Sequence, residues 1–388
     1  MSDVLLHVAR RASRIVSVPV ALLVIFLAKL LLPRKQICVV VMDPRFFGHQ
    51  CLEPEVFWND WQSARENGSK DLWFCCLGKK SVAANAFLWE HTREKFPTIP
   101  SWVVTRVAPV ARRLRMSNII FLEASIYRLN FLTERETSLP PYSKFDARRR
   151  EILSRLSDPE RPYVVFTIRE PDVSYDPNDP RNRDIRDFVP AMNALTLMGF
   201  NVVHLTSRTN YQLTINDPHI LDWQVLVDGH DADELALLSS AAFVVSSTTG
   251  GDCLALAYRR PVLYVDSARF YLVFLATELA TFSVPNIVDV KSGERLNLEQ
   301  ILARGLGWTG EVQSFTAAGV KIVNSDSRQI EQIVREYATS GFLDKKNMST
   351  ESQSGWRSQL LAKHFNDVKS RHGEVRAQML ASSVNELV

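Results

Sequence analysis

The sequence contains no Cys-x-x-Cys pair, no internal repeat, no low-complexity tract and no large excess of charge of either sign. Each absence removes a class of protein. The five cysteines, Cys38, Cys51, Cys75, Cys76 and Cys253, are odd in number and mostly sit inside apolar runs. This excludes a disulfide framework and a cysteine zinc site, and predicts buried thiols in a reducing compartment. A net charge of +3 over 388 residues lacks the concentrated basic face of a nucleic-acid binder. Basic clusters do occur at Arg112-Arg113 with Arg115 and at Arg148-Arg149-Arg150, and they read as solvated helix faces. A Walker-type phosphate loop is also missing: Gly78-Lys79-Lys80-Ser81 resembles half of one, but Trp73 stands where its first glycine is required. With 46% hydrophobic and 23% charged residues, what remains is a globular chain long enough for two domains.

One long hydrophobic run is present. Ile15 to Pro33 is apolar apart from Lys29 and the three positions Ser17, Pro19 and Pro33, with Arg10, Arg11 and Arg14 before it and Arg34 and Lys35 after it. A spanning helix needs roughly 20 apolar residues, and Pro33-Arg34-Lys35-Gln36 is no signal-peptide cleavage site. Residues 1–35 are therefore expected to be a membrane anchor, spanning or lying in the interface with Lys29 snorkelling. The alternative is a buried core helix.

Beyond the anchor, short apolar runs alternate with helical patterns, which predicts an α/β fold with parallel sheets. Gln36–Met42, Asp71–Gly78 and Asn118–Leu122 read as strands of a first domain over 36–157, with Glu53-Pro54-Glu55 opening a helix. Tyr163–Ile168, Asn201–Leu205, Val225–Val227, Phe243–Val245, Val262–Val265 and Asn286–Val288 read as strands of a second domain over 158–345. A helical segment over 346–388 follows. Both domains are expected to be Rossmann-like.

The chemistry gathers in two places in the second domain. After the strand ending at Val245 comes Ser246-Ser247-Thr248-Thr249-Gly250-Gly251-Asp252, a hydroxyl- and glycine-rich turn that opens a short helix. Glycines let a backbone approach an anion, hydroxyls donate, and a helix N-terminus carries partial positive charge, so such a turn suits phosphate. Many similar turns bind nothing. After the strand ending at Ile168 comes Arg169-Glu170, followed by a Pro/Asp/Asn-rich loop containing Asp172. An arginine at the carboxyl end of a strand points into the crevice where doubly wound sheets bind ligands, and its fork of donors matches phosphate oxygens. The alternative is an ion pair to Glu170 or a nearby aspartate.

The order helix, strand, glycine turn, helix, Arg259-Arg260-Pro261, strand resembles the C-terminal part of GT-B glycosyltransferases and their epimerase relatives. Together with the Arg169-Glu170 strand end, Arg181-Asn182-Arg183-Asp184-Ile185 and Gly199-Phe200-Asn201-Val202-Val203-His204-Leu205, it resembles a family of GT-B-type glycosyltransferases from bacterial surface-polysaccharide biosynthesis clusters. The match covers roughly 162–290. Two departures stand out. Thr167 and Glu170 occupy positions that are commonly His and Asp in the family, and the helix after Gly251 lacks the glutamate that binds ribose in many GT-B enzymes.

The resemblance implies a membrane-associated, metal-independent enzyme moving a sugar from a nucleotide-sugar to a glycan or lipid-linked acceptor, with its catalytic domains on the cytoplasmic side and no further cofactor. It places the diphosphate at Arg169, Asp172 and the turn from Ser246 through Ser247, Thr248, Thr249, Gly250 and Gly251 to Asp252. It places the acceptor at the loop carrying Gly48 and Glu53, with His49 as general base and Asp43 as second choice. Histidine is the group best tuned for this at neutral pH. A nucleotide-sugar epimerase and a non-catalytic nucleotide- or glycan-binding assembly protein are the alternatives. The stretch Val225–Asp233 also resembles a strand followed by a metal-binding Asp-x-Asp, but Asp231 and Asp233 begin a helix, where acidic residues are explained by capping and the helix dipole.

Overall fold

The computed structural model describes residues 36–113, 119–123, 136–170, 179–206, 213, 215–224, 231–268, 279–306 and 312–339. The hydrophobic run Ile15–Pro33, Asp172 and the expected C-terminal helix lie outside them, as does the expected strand Val225–Val227. Among the described residues no helix is long and apolar enough to cross a membrane. The chain divides into two compact units, Met1–Ile126 and Tyr127–Val388.

The first unit is built on a three-stranded parallel sheet in the order β2-β1-β3, with β1 at Ile37–Val41, β2 at Leu72–Cys76 and β3 at Ile119–Glu123. Helix α1 (Phe47–Glu66) follows β1, α2 (Ala86–Lys95) follows β2, and α3 is Ser101–Arg113. One face of the sheet packs Val40, Cys75, Phe57 and Phe96 with Trp58, Trp61 and Trp73 around them, and the other packs Val39 and Cys76 against Val104. Burial pushes the Cys75 thiol up to about 12 and Cys38 up to about 11, so both are inert thiols at neutral pH.

Helix α1 starts six residues before the expected Glu53-Pro54-Glu55 opening, with Pro54 inside it. Proline normally marks a first turn because it lacks the N–H of an interior position. Here tertiary contacts hold the earlier turn: the buried Gln50 side chain donates to Asn85 O at 3.0 Å and accepts from Asn85 N at 2.7 Å. Gly48, His49 and Glu53 therefore all lie on a helix rather than in a loop.

The segment expected to end the first domain packs within the second unit. It comprises a 3₁₀ turn at Tyr142–Phe145 and α4 (Asp146–Leu153). Arg148 is not a solvated residue: it forks onto the buried Asp233, with Nε–Oδ1 at 2.7 Å and Nη2–Oδ2 at 3.1 Å. Arg149 donates to Ser240 Oγ at 2.6 Å. Trp223 Nε1 donates to the same Asp233 at 3.1 Å, so this carboxylate belongs to a structural network.

The main sheet of the second unit has six parallel strands in the order β6-β5-β4-β7-β8-β9. They are β4 (Tyr163–Thr167), β5 (Asn201–Thr206), β6 (Ile220–Gln224), β7 (Phe243–Ser246), β8 (Val262–Tyr264) and β9 (Ala280–Phe282). This is the doubly wound order, in which the direction of winding reverses between the two central strands. Helices α5 (Val189–Leu197), α6 (Asp231–Leu238) and α7 (Gly251–Ala257) follow β4, β6 and β7 in the chain.

Val164, Phe166, Phe243 and Val245 face a core completed by Met192, Leu195, Ile330 and Val334. The last two lie on α10 (Ser327–Thr339). The strands are apolar on both faces, as parallel strands covered on both sides must be.

Two strands differ from expectation. Asn286–Val288 belongs to β10 (Asn286–Asp289), which pairs antiparallel with β11 (Val320–Val323) in a separate ribbon. That ribbon packs with α8 (Leu298–Ala303) and α9 (Val312–Ala317) around Ile287, Leu306 and Phe315. The sixth strand of the main sheet is β9 instead.

Candidate functional site

Because β4 and β7 are neighbours with Thr167 opposite Ser246, the two predicted phosphate elements leave the sheet side by side at the point where the winding reverses. The carboxyl edge at such a switch point is where open α/β sheets bind ligands. The two elements are tied directly. Arg169 N donates to Ser247 Oγ at 2.8 Å, and Ser247 N reaches Thr167 O at 3.4 Å. The loop beyond Arg169 returns to it, with Arg183 N donating to Arg169 O at 2.8 Å. The buried guanidinium of Arg183 is clamped by Asp266 and by Ser325 O.

The turn divides into a buried half and a surface half. Ser246, Ser247, Thr248 and Asp252 are buried, whereas Thr249, Gly250 and Gly251 reach the surface. Thr248 and Thr249 donate their N–H groups to Ser246 Oγ at 3.0 and 3.3 Å, Thr249 N also donates to Asp252 Oδ2 at 3.0 Å, and Gly251 N donates to Thr249 Oγ1 at 3.2 Å. Much of the donor capacity read from the sequence is thus satisfied within the turn.

The left-handed position is taken by Thr248, at φ 72°, and a β-branched residue there is strained. Gly250 has an ordinary φ of −79°. Gly251 is required for another reason: a Cβ there would stand 2.9 Å from Thr167 Cγ2, so its hydrogen lets α7 pack onto β4.

Arg169 is 18% exposed and sits 3.7 Å from Asp179. The aspartate is gripped more closely by Arg181, whose Nε lies 2.9 Å from Oδ1. Burial acts to raise the Asp179 carboxyl, but the Arg181 hydrogen bonds and the Arg169 charge outweigh it and hold it at about 2. Two guanidiniums therefore share one carboxylate that is ionised at neutral pH. The ion pair to a nearby aspartate considered from the sequence is present, and it leaves the Arg169 head partly open to solvent.

In the first unit, His49 Nδ1 lies 2.7 Å from Glu53 Oε1, one helical turn further along α1. Glu53 is buried, and its other oxygen accepts Asp43 N at 2.7 Å. The hydrogen bond to Glu53 raises the His49 imidazole against the opposing effect of burial, and burial raises Glu53. An ionised carboxylate only accepts, so Nδ1 carries the proton and Nε2 is the basic nitrogen.

Glu53 thus orients the histidine. Asp43 is gripped by Arg45, with Nε–Oδ1 at 2.9 Å and Nη2–Oδ2 at 2.6 Å, and this holds its carboxyl below its usual range. A carboxylate held low by an arginine is a weaker base than an oriented imidazole, so His49 keeps the first place and Asp43 the second. The β1–α1 connection is fixed from below as well: Ala84 N donates to Pro44 O at 2.8 Å, and a Cβ on Gly78 would stand 2.6 Å from Pro44 Cγ.

The residues that sequence reasoning missed are those that buttress. Tyr264 continues the row Thr167–Ser246 onto β8, and nothing in Val-Leu-Tyr-Val marks a tyrosine as the neighbour of Asp252. Arg183 and Asp266 are 83 positions apart, beyond any local pattern.

No protein-family model matches the sequence, and no curated protein matches it. Solved structures with a similar course of the chain include the glycotransferase of kitacinnamycin (11% identity, 90% of this chain and 100% of the other, TM-score 0.38). They also include the glycosyl transferase family 9 protein from Veillonella parvula DSM 2008 (9% identity, 79% and 98%, TM-score 0.43) and the E. coli heptosyltransferase WaaC with ADP (9% identity, 79% and 100%, TM-score 0.39). All three are glycosyltransferases.

Proposed function

We propose that this protein is a glycosyltransferase of the GT-B type that transfers a sugar from a nucleotide-sugar donor. The observation that carries the reading is the convergence of Arg169 and the Ser246–Asp252 turn at the β4/β7 switch point. There Arg169 and the surface half of the turn, Thr249 to Gly251, meet the donor diphosphate, and Asp172 is proposed as a further contact. Fixed donors aimed at the departing diphosphate stabilise the charge that develops in the transition state and do so without a metal ion. Ser246, Ser247, Thr248 and Asp252 support the turn from beneath.

His49 is the proposed general base, with Glu53 holding its ring and Gly48 proposed on the acceptor side. Its basic Nε2 takes the proton from the attacking hydroxyl of the acceptor. The acceptor is proposed to be a glycan or lipid-linked glycan of surface-polysaccharide biosynthesis. A membrane anchor in residues 1–35 would hold the enzyme at that acceptor's surface, with the catalytic units on the cytoplasmic side.

A ligand that binds the folded protein raises its melting temperature by mass action. The test is a panel of nucleotide-sugars and nucleoside diphosphates screened by thermal shift, followed by transfer from the stabilising donor to glycan and polyprenyl-phosphate acceptors. At least one nucleotide-sugar stabilises the protein and is consumed with sugar transferred. Stabilisation by none of them, or conversion of the donor sugar without transfer, contradicts the reading.

A further inference from the structure

We propose that Asp252 is a positioning residue of the phosphate turn, holding Thr249 and Ser246 in place from inside the protein without touching the ligand. This rests on the donor-site reading above and names a role that reading does not contain.

The carboxylate is 1% exposed, so it cannot serve as a ligand contact. Its Oδ2 accepts two bonds, from Thr249 N at 3.0 Å and from Ser246 Oγ at 3.1 Å. Since the Ser246 hydroxyl donates to Asp252, its oxygen is free to accept from Thr248 N at 3.0 Å. One buried carboxylate thereby fixes the peptide groups on both sides of Thr248, the residue held in the left-handed region. Without that tie a β-branched residue relaxes away from the conformation, and Thr249, Gly250 and Gly251 lose the arrangement in which they reach the surface.

A second tie runs from Ser247 Oγ to Arg169 N, so the same turn also fixes the strand end that carries the guanidinium. Tyr264, on the neighbouring strand, completes the row Thr167, Ser246, Tyr264 on the face that α7 covers. Its buried hydroxyl interacts with the same carboxylate, and burial together with that negative charge raises the phenol far above its ordinary range.

Burial pushes Asp252 itself up to about 6 despite the hydrogen bonds that oppose it. Keeping an ionised carboxylate at this depth costs stability, which fits a residue retained for the shape of a site.

The direction of the effect on binding separates positioning from contact. A carboxylate beside a diphosphate repels it, so Asp252→Asn would strengthen binding if the residue acted by contact or by charge. As a positioning residue, Asp252→Asn weakens binding, because a neutral amide oxygen accepts from Thr249 N and Ser246 Oγ less strongly than the carboxylate Oδ2 does. The experiment combines calorimetric titration of wild type and Asp252→Asn with ADP and UDP, amide hydrogen exchange at Thr248 and Thr249, and melting temperature at pH 7.

The account predicts affinity about tenfold lower in Asp252→Asn, loss of exchange protection at Thr249, and a melting temperature that does not fall. Unchanged protection at Thr249, stronger nucleotide binding, or a melting temperature that falls in step with affinity overturns the proposal. If Asp252→Asn does not fold, Ser246→Ala removes the other end of the same tie and must produce the same loss of protection and affinity. Should wild type bind neither ADP nor UDP, the donor-site reading falls, while the exchange measurement still decides whether Asp252 holds the turn.

Discussion

The histidine proposed as base stands 43% exposed near the start of a 20-residue helix, whereas the carboxylate proposed to organise the phosphate turn is 1% exposed in the first turn of a 7-residue one. Both regions follow the first strand of a parallel sheet or its neighbour, and both use an acid to fix a group that faces outward. In the first unit one bond, from His49 Nδ1 to Glu53, sets which ring nitrogen is basic, and the imidazole remains open to solvent. In the second unit the acid fixes backbone, and several side chains are spent on the shape of a single turn. A base needs one oriented nitrogen at a tuned pKa, while an anion site needs several donors at fixed spacing, and the amount of buried support differs accordingly.

The largest expected effect belongs to the histidine. His49→Ala is expected to lower turnover by roughly 10²- to 10⁴-fold, the usual range for a general base, with calorimetric donor affinity unchanged. Loss of both together would make the first-unit region a donor site. Arg169→Ala acts oppositely: donor affinity falls about 10- to 100-fold, as expected for a charge-assisted hydrogen bond worth about 1.5–3 kcal/mol, and the folded state persists.

The pH dependence sharpens the contrast. The folded His49 pKa lies above 6.5, so turnover rises with pH through a midpoint above that value as the base loses its proton. Glu53→Gln moves the midpoint downward by replacing the charged acceptor that raises it with a neutral one. A pH–rate profile of wild type and variant reads both shifts.

Asp252 behaves with the other sign. Its folded pKa of about 6 exceeds the unfolded 3.8, so the folded state binds the extra proton between these values. Its contribution to stability therefore falls as pH rises from about 4 to about 6, by about 3 kcal/mol. Denaturant titrations show this slope in wild type and not in Asp252→Asn. The smallest effect belongs to Gly251→Ala, whose methyl group meets Thr167 Cγ2 and costs about 1–3 kcal/mol by overpacking.

The central strands were legible because parallel strands buried on both faces leave continuous apolar runs, as in Tyr163–Thr167 and Phe243–Ser246. The edge strands were not. Ile220–Gln224 carries an aspartate and a glutamine, and Asp222 is accommodated by His204, whose Nδ1 lies 2.8 Å away on the adjacent strand. Ala280–Phe282 is only three residues long.

The start of α1 was hidden by Pro54, because the Gln50–Asn85 pair that overrides it spans 35 positions. At the candidate site, Arg169 and the turn could be named from residue types, and their adjacency follows once the strand order is known. Which hydroxyls face inward could not be read, since Ser246 and Thr249 look alike in a sequence whether their partners are a ligand or the turn itself.

The β4/β7 switch point is proposed to hold a nucleoside diphosphate through Arg169 and the turn beside it. Isothermal titration of ADP and UDP into wild type, Arg169→Ala and His49→Ala tests it most directly. The account predicts one site per chain in wild type, a 10- to 100-fold loss in Arg169→Ala and no change in His49→Ala. Equal affinity in wild type and Arg169→Ala, or no binding in wild type, contradicts it.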